Sequence, residues 1–239
     1  MGKNMIGILD QAVKIAANAL FPLFCVACGA EGAWLCSGCS GEVVLQGVFT
    51  CIGCRRDTPG GSTCERCRKH TPGEQLSAAD RYGVGVTSEL VRLWKYKSLR
   101  SAEPFLQSFV RRFFESRRAL FPEIAAIVPV PLHLRRECER GFNQAEALSG
   151  ILGTFTGAEV ANVLERHRYT LPQVKIAEKK DREKNMSGVF RCRDADAVRG
   201  KDILLVDDVV TYGATITQCA RTLRESGAGR IFGFSLLRG

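Results

Sequence analysis

Apolar residues recur along this chain in two rhythms, one unbroken and one helical. Ile203, Leu204, Leu205 and Val206 are consecutive, which predicts a strand covered on both faces, as parallel strands of α/β sheets are. Ala125 to Pro131 reads as a second such strand, stopped by Pro129 and Pro131. Ile216, Cys219, Ala220 and Leu223 fall at helical spacing, so a helix is expected to open just after Gly213. Phe105, Phe109, Phe113 and Phe114 do the same and predict the core face of another helix. Near the start, Ile6, Leu9, Val13, Ala16, Ala17 and Leu20 make one face of an amphipathic helix ended by Phe21-Pro22. Asp10 and Lys14 leave it too short and too polar to span a membrane or serve as a signal peptide.

Cysteine changes the picture of the first third. Of 11 cysteines, eight form four Cys-x-x-Cys pairs: Cys25/Cys28, Cys36/Cys39, Cys51/Cys54 and Cys64/Cys67. One such turn aims two thiolates at one ion, and two turns complete the tetrahedral S₄ shell of structural Zn²⁺. Seven residues separate the first two pairs and nine the last two, which suits two consecutive zinc ribbons, and interleaved ligation is also compatible with these gaps. A disulfide framework would need an oxidising compartment, which does not suit the nucleotide-type domain that follows. The spacing does not resemble that of ferredoxin clusters. Cys138, Cys192 and Cys219 stand apart and read as ordinary thiols. A module this small with few large apolar side chains needs metal to fold, so the zinc is expected to be structural.

Thr71-Pro72-Gly73 marks the joint, giving an expected N-terminal helix and double zinc-ribbon module over residues 1–73 and a main domain over 74–239. The formal charge is +9, and two Cys₄-zinc sites would bring it to +5. After residue 73, 27 Lys and Arg face 20 Asp and Glu, a balance that suits polyanions such as nucleic acid or a phosphorylated sugar.

The densest chemistry follows the first strand. Asp207 and Asp208 emerge at its carboxyl end, the edge where open α/β sheets place ligands, and such a pair can accept hydrogen bonds from vicinal hydroxyls or hold Mg²⁺. Thr211, Gly213, Ala214 and Thr215 then form a turn whose backbone N–H groups can converge on an anion at a helix N-terminus. A nucleoside-triphosphatase strand also ends in acids, but the chain has no G-x-x-x-x-G-K-[ST]. The run Ile203 to Thr215 resembles the signature of type I phosphoribosyltransferases. The resemblance implies that Asp207 and Asp208, the candidate catalytic pair, hold the ribose hydroxyls of phosphoribosyl pyrophosphate (PRPP), and that the turn from Thr211 to Thr215 holds its 5′-phosphate. Tyr212 stands where that family usually has a threonine.

After the second strand, Arg135, Arg136, Arg140 and Asn143 are expected on a loop at the same edge, where guanidinium forks could meet pyrophosphate oxygens. Val128-Pro129-Val130-Pro131, the run Arg140-Gly141-Phe142-Asn143-Gln144 and the Asp207-Asp208 segment together are similar to the ComF family of competence-associated proteins. Arg166-x-Arg168-x-Thr170-x-x-Gln173, Arg182-x-x-Asn185, Phe190 and the paired Cys turns extend the likeness over nearly the whole chain. It implies a type I phosphoribosyltransferase-like parallel sheet flanked by helices behind a small zinc-ribbon domain. It further implies a cytoplasmic protein of DNA uptake in natural transformation, whose helicase or processing partners could bring it to the inner face of the membrane.

Arg166, Arg168, Lys175, Lys179, Lys180, Arg182 and Lys184 make a basic stretch able to cover a ligand or to track the phosphates of single-stranded DNA. Leu93-Trp94-Lys95-Tyr96-Lys97 interleaves aromatic and basic residues, which suits either stacking on a base or core packing of Trp94. Two functions are consistent with these features: a module that binds PRPP with Mg²⁺ and single-stranded DNA, or an active phosphoribosyltransferase with an unidentified base or amine acceptor. No acceptor-pocket motif separates them.

Overall fold

A computed structural model of the protein describes residues 22–96, 100–168 and 188–239. The amphipathic helix expected before Phe21, Lys97, and the basic stretch from Thr170 to Asn185 lie outside the described residues. The centre is a six-stranded sheet: β1 (Val48–Phe49), β2 (Gln75–Arg81), β3 (Ala126–Pro129), β4 (Glu159–Val160), β7 (Ile203–Val210) and β8 (Ile231–Arg238). Its order is β1-β2-β8-β7-β3-β4, parallel throughout except that β1 runs antiparallel to β2. A separate antiparallel pair, β5 (Leu164–Arg166) and β6 (Phe190–Cys192), stands beside it.

The central strands are apolar on both faces because helices cover both. All eight residues of β8 are buried. On one side, Leu204, Val206, Phe232 and Phe234 pack under α3 (Gly85–Tyr96), α4 (Glu103–Ser116) and α6 (Gln144–Thr156). Phe109, Phe113 and Phe114 of α4 belong to this layer and Phe105 packs against it, as their spacing predicts. Phe113 meets the rings of Phe49, Phe114, Phe121 and Phe234 with centroids 5.5–6.4 Å apart, within the range of favourable aromatic pairs. Trp94 is fully buried here and its ring faces Phe142, so this indole is a core residue and not a stacking platform. On the other side, Ile203, Leu205 and Ile231 pack against Ile216, Cys219, Ala220 and Leu223 of α7 (Ala214–Glu225), the helix expected after Gly213.

The Cys-rich segment carries two short helices, α1 (Ser37–Glu42) and α2 (Glu65–Arg68), and supplies β1 to the main sheet. Its first half joins the core beneath α4: Cys25 and Leu35 are buried there, and Arg112 and Arg117 of that neighbourhood donate to the carbonyls of Ser40, Leu45 and Gln46. Its second half joins the other layer through Ile52. This is the fold class expected from the sequence, a mostly parallel sheet flanked by helices with a small Cys-rich appendage.

Two features sharpen what positions the site. β3 leads through α5 (Leu134–Arg140) and α6 to β4 on one side, whereas β7 leads through α7 to β8 on the other. The chain therefore diverges between neighbouring strands β3 and β7, opening a crevice at their carboxyl ends. β7 also continues past Val206 to Val210, because Asp207, Val209 and Val210 keep pairing with Ser235, Leu237 and Arg238. The paired acids thus sit on rigid strand, not on the loop that follows.

Candidate functional site

Asp208 is 7% exposed and its Oδ1 meets Lys95 Nζ of α3 at 2.9 Å. The Asp208 N–H donates to Asp207 Oδ1 at 2.8 Å. Burial, and next the neighbouring Asp208 charge, push the Asp207 carboxyl up to about 8, while Lys95 pulls the other way. At neutral pH the Asp207 carboxyl is therefore largely protonated, beside an Asp208 that one ammonium already faces. The two carboxyl groups so arranged can accept hydrogen bonds from hydroxyls or face a cation, and Asp207 gains charge when a ligand arrives that stabilises it.

The turn after β7 matches its expected form. Gly213 takes φ +79 and caps the N-terminus of α7. The left-handed backbone favours glycine, and a Cβ there would crowd the Ile52 carbonyl oxygen at 3.2 Å. A twelve-residue helix starting at Ala214 turns its unpaired N–H groups and positive dipole end toward this turn. Thr211, Gly213, Ala214 and Thr215 line the crevice with Asp207 and Asp208. The Tyr212 ring is not among the lining groups; the Arg55 guanidinium lies over it, 4.9 Å from its centroid.

The basic segment after β3 is not a loop. Leu134–Arg140 forms α5, started by His133, whose Nδ1 accepts from the Arg135 N–H, and ended by Gly141 at φ +80. This corrects the expectation: local capping at both ends folds a segment without apolar periodicity. The helix splits its arginines. Arg136 and Arg140 line the crevice, whereas Arg135 is exposed and pairs with Glu139. Asn143 is buried, where its side chain accepts from the Ala145 N–H and donates to the Val130 carbonyl. It caps α6 and ties that helix to the end of β3.

The crevice has a volume of about 640 Å³, in the range of small-molecule sites. Arg166, expected on a nucleic-acid track, is 8% exposed and also lines it, with its guanidinium 5.7 Å from the Phe190 centroid. Arg168 is exposed nearby, and Lys179, Lys180 and Arg182 lie outside the described residues. Sequence reasoning placed Lys95 only in an aromatic-basic run and missed its pairing with Asp208, and it missed the Glu89–Arg92 ion pair; all three residues are on α3 and line the crevice. A lysine beside the fully buried Trp94 was the available signal for Lys95.

The eight paired cysteines form two groups, Cys25, Cys28, Cys36, Cys39 and Cys51, Cys54, Cys64, Cys67, each with its sulfurs within 4.8 Å of one another. The cysteines are therefore grouped consecutively and not interleaved. Cys28–Cys36, Cys51–Cys64 and Cys54–Cys64 sulfurs are 3.8, 3.6 and 3.7 Å apart. A tetrahedral shell with Zn–S bonds of about 2.3 Å has edges of about 3.8 Å, so both groups fit Zn²⁺ and neither is disulfide-bonded. Backbone N–H groups of Cys36 and Cys64 donate to the sulfurs of Cys25 and Cys51. Hydrogen bonds from Arg56 hold the Cys54 thiol down to about 6, while burial and Cys64 push Cys67 up to about 12. Four thiolates packed this closely repel one another, and a shared cation would offset that repulsion. Cys219 is buried, Cys192 partly buried and Cys138 exposed, all outside these groups.

No family model matches the chain. It is 30% identical to Competence protein F of Haemophilus influenzae over 157 residues, 63% of this chain and 67% of that protein. It is 32% identical to Competence protein ComFC of Bacillus subtilis over 149 residues, 61% of this chain and 58% of that protein. It is 35% identical to DNA utilization protein YhgH of Salmonella typhi over 113 residues, 47% of this chain and 48% of that protein. The matches thus span from about half to two thirds of these relatives' lengths. Among solved structures, the chain is similar to glutamine PRPP amidotransferase from B. subtilis (20% identity, 67% of this chain and 28% of that chain, TM-score 0.35). It is also similar to adenine phosphoribosyltransferase from Leishmania donovani (13% identity, 71% of this chain and 85% of that chain, TM-score 0.37). With this sequence relationship to Competence protein F, and with the paired Cys₄ groups in front of an α/β sheet, the chain belongs to the ComF family of competence-associated proteins.

Proposed function

We propose that the protein binds PRPP with Mg²⁺ in the crevice at the carboxyl ends of β3 and β7, and that it does so in the service of DNA uptake or utilisation. One observation carries the first part. Paired carboxylates, a glycine-capped helix N-terminus and two arginines of α5 line one crevice of sugar-phosphate size. In this account Asp207 and Asp208 orient the ribose hydroxyls, the Thr211–Thr215 turn takes the 5′-phosphate through backbone N–H groups and hydroxyls, and Arg136 and Arg140 face the pyrophosphate. Asp207 and Asp208 would hold Mg²⁺, which would supply neutralisation of pyrophosphate charge. Arg135 and Asn143 serve from behind, through the surface of α5 and the cap of α6.

The relatives' names, which speak of competence and DNA utilization, support the second part. Single-stranded DNA is the proposed partner, with Arg166 and Arg168 leading into the basic stretch that includes Lys179, Lys180 and Arg182. Residues 1–73 are proposed as a zinc-stabilised adaptor for uptake helicases or processing proteins at the cytoplasmic side of the membrane, with 74–239 as the ligand-binding part. No helix among the described residues is long and apolar enough to cross a membrane.

Calorimetric titration of the zinc-loaded protein with PRPP and Mg²⁺, repeated with a short single-stranded oligonucleotide, tests both parts. Saturable PRPP binding and salt-dependent oligonucleotide binding are expected. Absence of PRPP heat at millimolar concentration would overturn the sugar-phosphate site, and absence of oligonucleotide binding the DNA partner.

A further inference from the structure

The second Cys₄ group is tied to the phosphate-type turn by three separate contacts. Thr50, the residue before Cys51, accepts from Arg238 Nε through Oγ1 at 3.1 Å. The same guanidinium donates through Nη1 to the carbonyls of Val210 and Thr211, at 3.2 and 2.7 Å. Arg238 is 3% exposed, so a single buried fork spans from the residue preceding a cysteine ligand to the two carbonyls that open the turn. The second contact is Ile52, between Cys51 and Cys54, whose carbonyl oxygen sits against the space where a residue 213 side chain would begin. The third is Arg55, whose backbone is held at φ +63 while its N–H donates to the Cys51 carbonyl, and whose guanidinium covers Tyr212. Among the described residues no such contact comes from the first Cys₄ group, which packs in the core layer beneath α4.

These contacts act on groups that decide whether the turn can hold an anion. A peptide unit is planar and trans, so its C=O and N–H point in opposite directions. Fixing the Thr211 carbonyl on Arg238 therefore turns the Tyr212 N–H to the other side of the chain. The Ile52 carbonyl in turn packs closely on residue 213, the N-cap of α7, where a Cβ would lie 3.2 Å from its oxygen. An ion shared by Cys51, Cys54, Cys64 and Cys67 would fix the path of residues 50–55, because two of its four ligands lie within that stretch.

We infer that Thr50, Arg55 and Arg238 are positioning residues for an anion at the 211–215 turn, and that a metal in the second Cys₄ group and a phosphomonoester at the turn each strengthen the binding of the other. The kind of anion rests on the sugar-phosphate function proposed above. Reciprocity follows from linkage: whatever the metal adds to the anion's affinity, the anion adds to the metal's. The first Cys₄ group lies outside this coupling.

The test measures how zinc partitions at equilibrium between the zinc-loaded chain and a competing chromogenic chelator, with and without saturating ribose 5-phosphate. One of the two zinc ions should be held about fivefold more tightly or better in its presence, the lower end of usual coupling between sites, and the other with unchanged affinity. Cys54→Ser identifies the protected ion, which should be the one this variant lacks. Arg238→Gln should start with both ions and lose the protection, and Arg238→Lys should recover part of it, a pattern that a general loss of stability does not produce. Affinities of both ions unchanged by ribose 5-phosphate, in protein that calorimetry shows to be saturated with it, would overturn the coupling. A second arm needs no ligand: hydrogen exchange across 210–217 should quicken when zinc is removed, and in zinc-loaded Arg238→Gln, but not in Cys28→Ser. Unchanged exchange in zinc-free protein would overturn the inference, whereas failure of ribose 5-phosphate to bind, with exchange behaving as expected, would remove the sugar-phosphate function alone.

Discussion

Replacing Lys95 with methionine removes the one cation that meets Asp208 at hydrogen-bond distance among the described residues while keeping most of the side-chain volume. The two charged ends are 2.9 Å apart, and their side chains are 14% and 11% exposed. With an effective permittivity of about 20, Coulomb's law gives roughly 6 kcal/mol for two unit charges at that separation. Desolvating both ions cancels much of this, but removing one partner leaves the other buried and uncompensated, a loss of about 3–5 kcal/mol in comparable pairs. We expect Lys95→Met to lower unfolding free energy by about that amount at pH 8, measured by urea titration of the zinc-loaded protein. The loss should shrink at pH 5, where a proton can neutralise the stranded carboxylate. Lys95→Met combined with Asp208→Asn should recover most of the loss, giving a coupling energy of about 3 kcal/mol in the double-mutant cycle. A loss below about 1 kcal/mol, the level of an exposed pair, or one that does not change with pH, would refute the claim that this ion pair is a desolvated part of the site.

Asp207 sets a pH dependence whose sign follows from its raised carboxyl. Binding a ligand that needs the ionised form releases a proton below about pH 8, so PRPP affinity should rise from pH 6 to pH 8.5 and level off above, with Asp207→Asn flattening the profile; calorimetry in buffers of different ionisation enthalpy checks the proton release. The same shift makes the folded state bind the extra proton, so this group's contribution to stability falls as pH rises from about 4 to about 8. Plasma emission should find two zinc ions per chain, and Cys28→Ser and Cys54→Ser should each lose one; a single ion in the wild type would contradict the two-shell geometry. Phe113→Ala, at the centre of the aromatic cluster, should cost about 3–5 kcal/mol in denaturant titration, and a cost below about 1.5 kcal/mol would mean that the cluster is less tightly packed than described.

How far the sequence carried is clearest where its signals were local. Ile203–Val206 declared a buried strand because four apolar residues in a row have few other uses, and the helix after Gly213 declared itself by its apolar spacing. The extension of β7 to Val210 did not, because two aspartates interrupt the apolar run and the pairing that continues it is made with Leu237 and Arg238, residues nearly thirty positions away. α5 was invisible for another reason. Its seven residues include only Leu134 and Cys138 as apolar positions, so no periodicity exists, and the helix rests on His133 and Gly141 at its ends. The paired Cys turns were legible as metal ligands, yet their grouping needed interatomic distances. Lys95 sits in an aromatic-basic run that suggested stacking or core packing, and Arg238 has no motif around it; each acquires its meaning from a partner on a distant element, Asp208 for one and Thr50 for the other.

The most direct test of the central claim compares PRPP–Mg²⁺ titrations of the wild type and of Asp207→Asn/Asp208→Asn, a change that removes charge with almost no change of volume. Saturable one-to-one binding in the wild type and a loss of affinity of about a hundredfold or more in the variant, with near-ultraviolet circular dichroism unchanged, is the predicted result, since two charge-assisted hydrogen-bond acceptors are worth about 3 kcal/mol or more. Equal affinity in the two proteins would contradict the placement of the ribose at the end of β7.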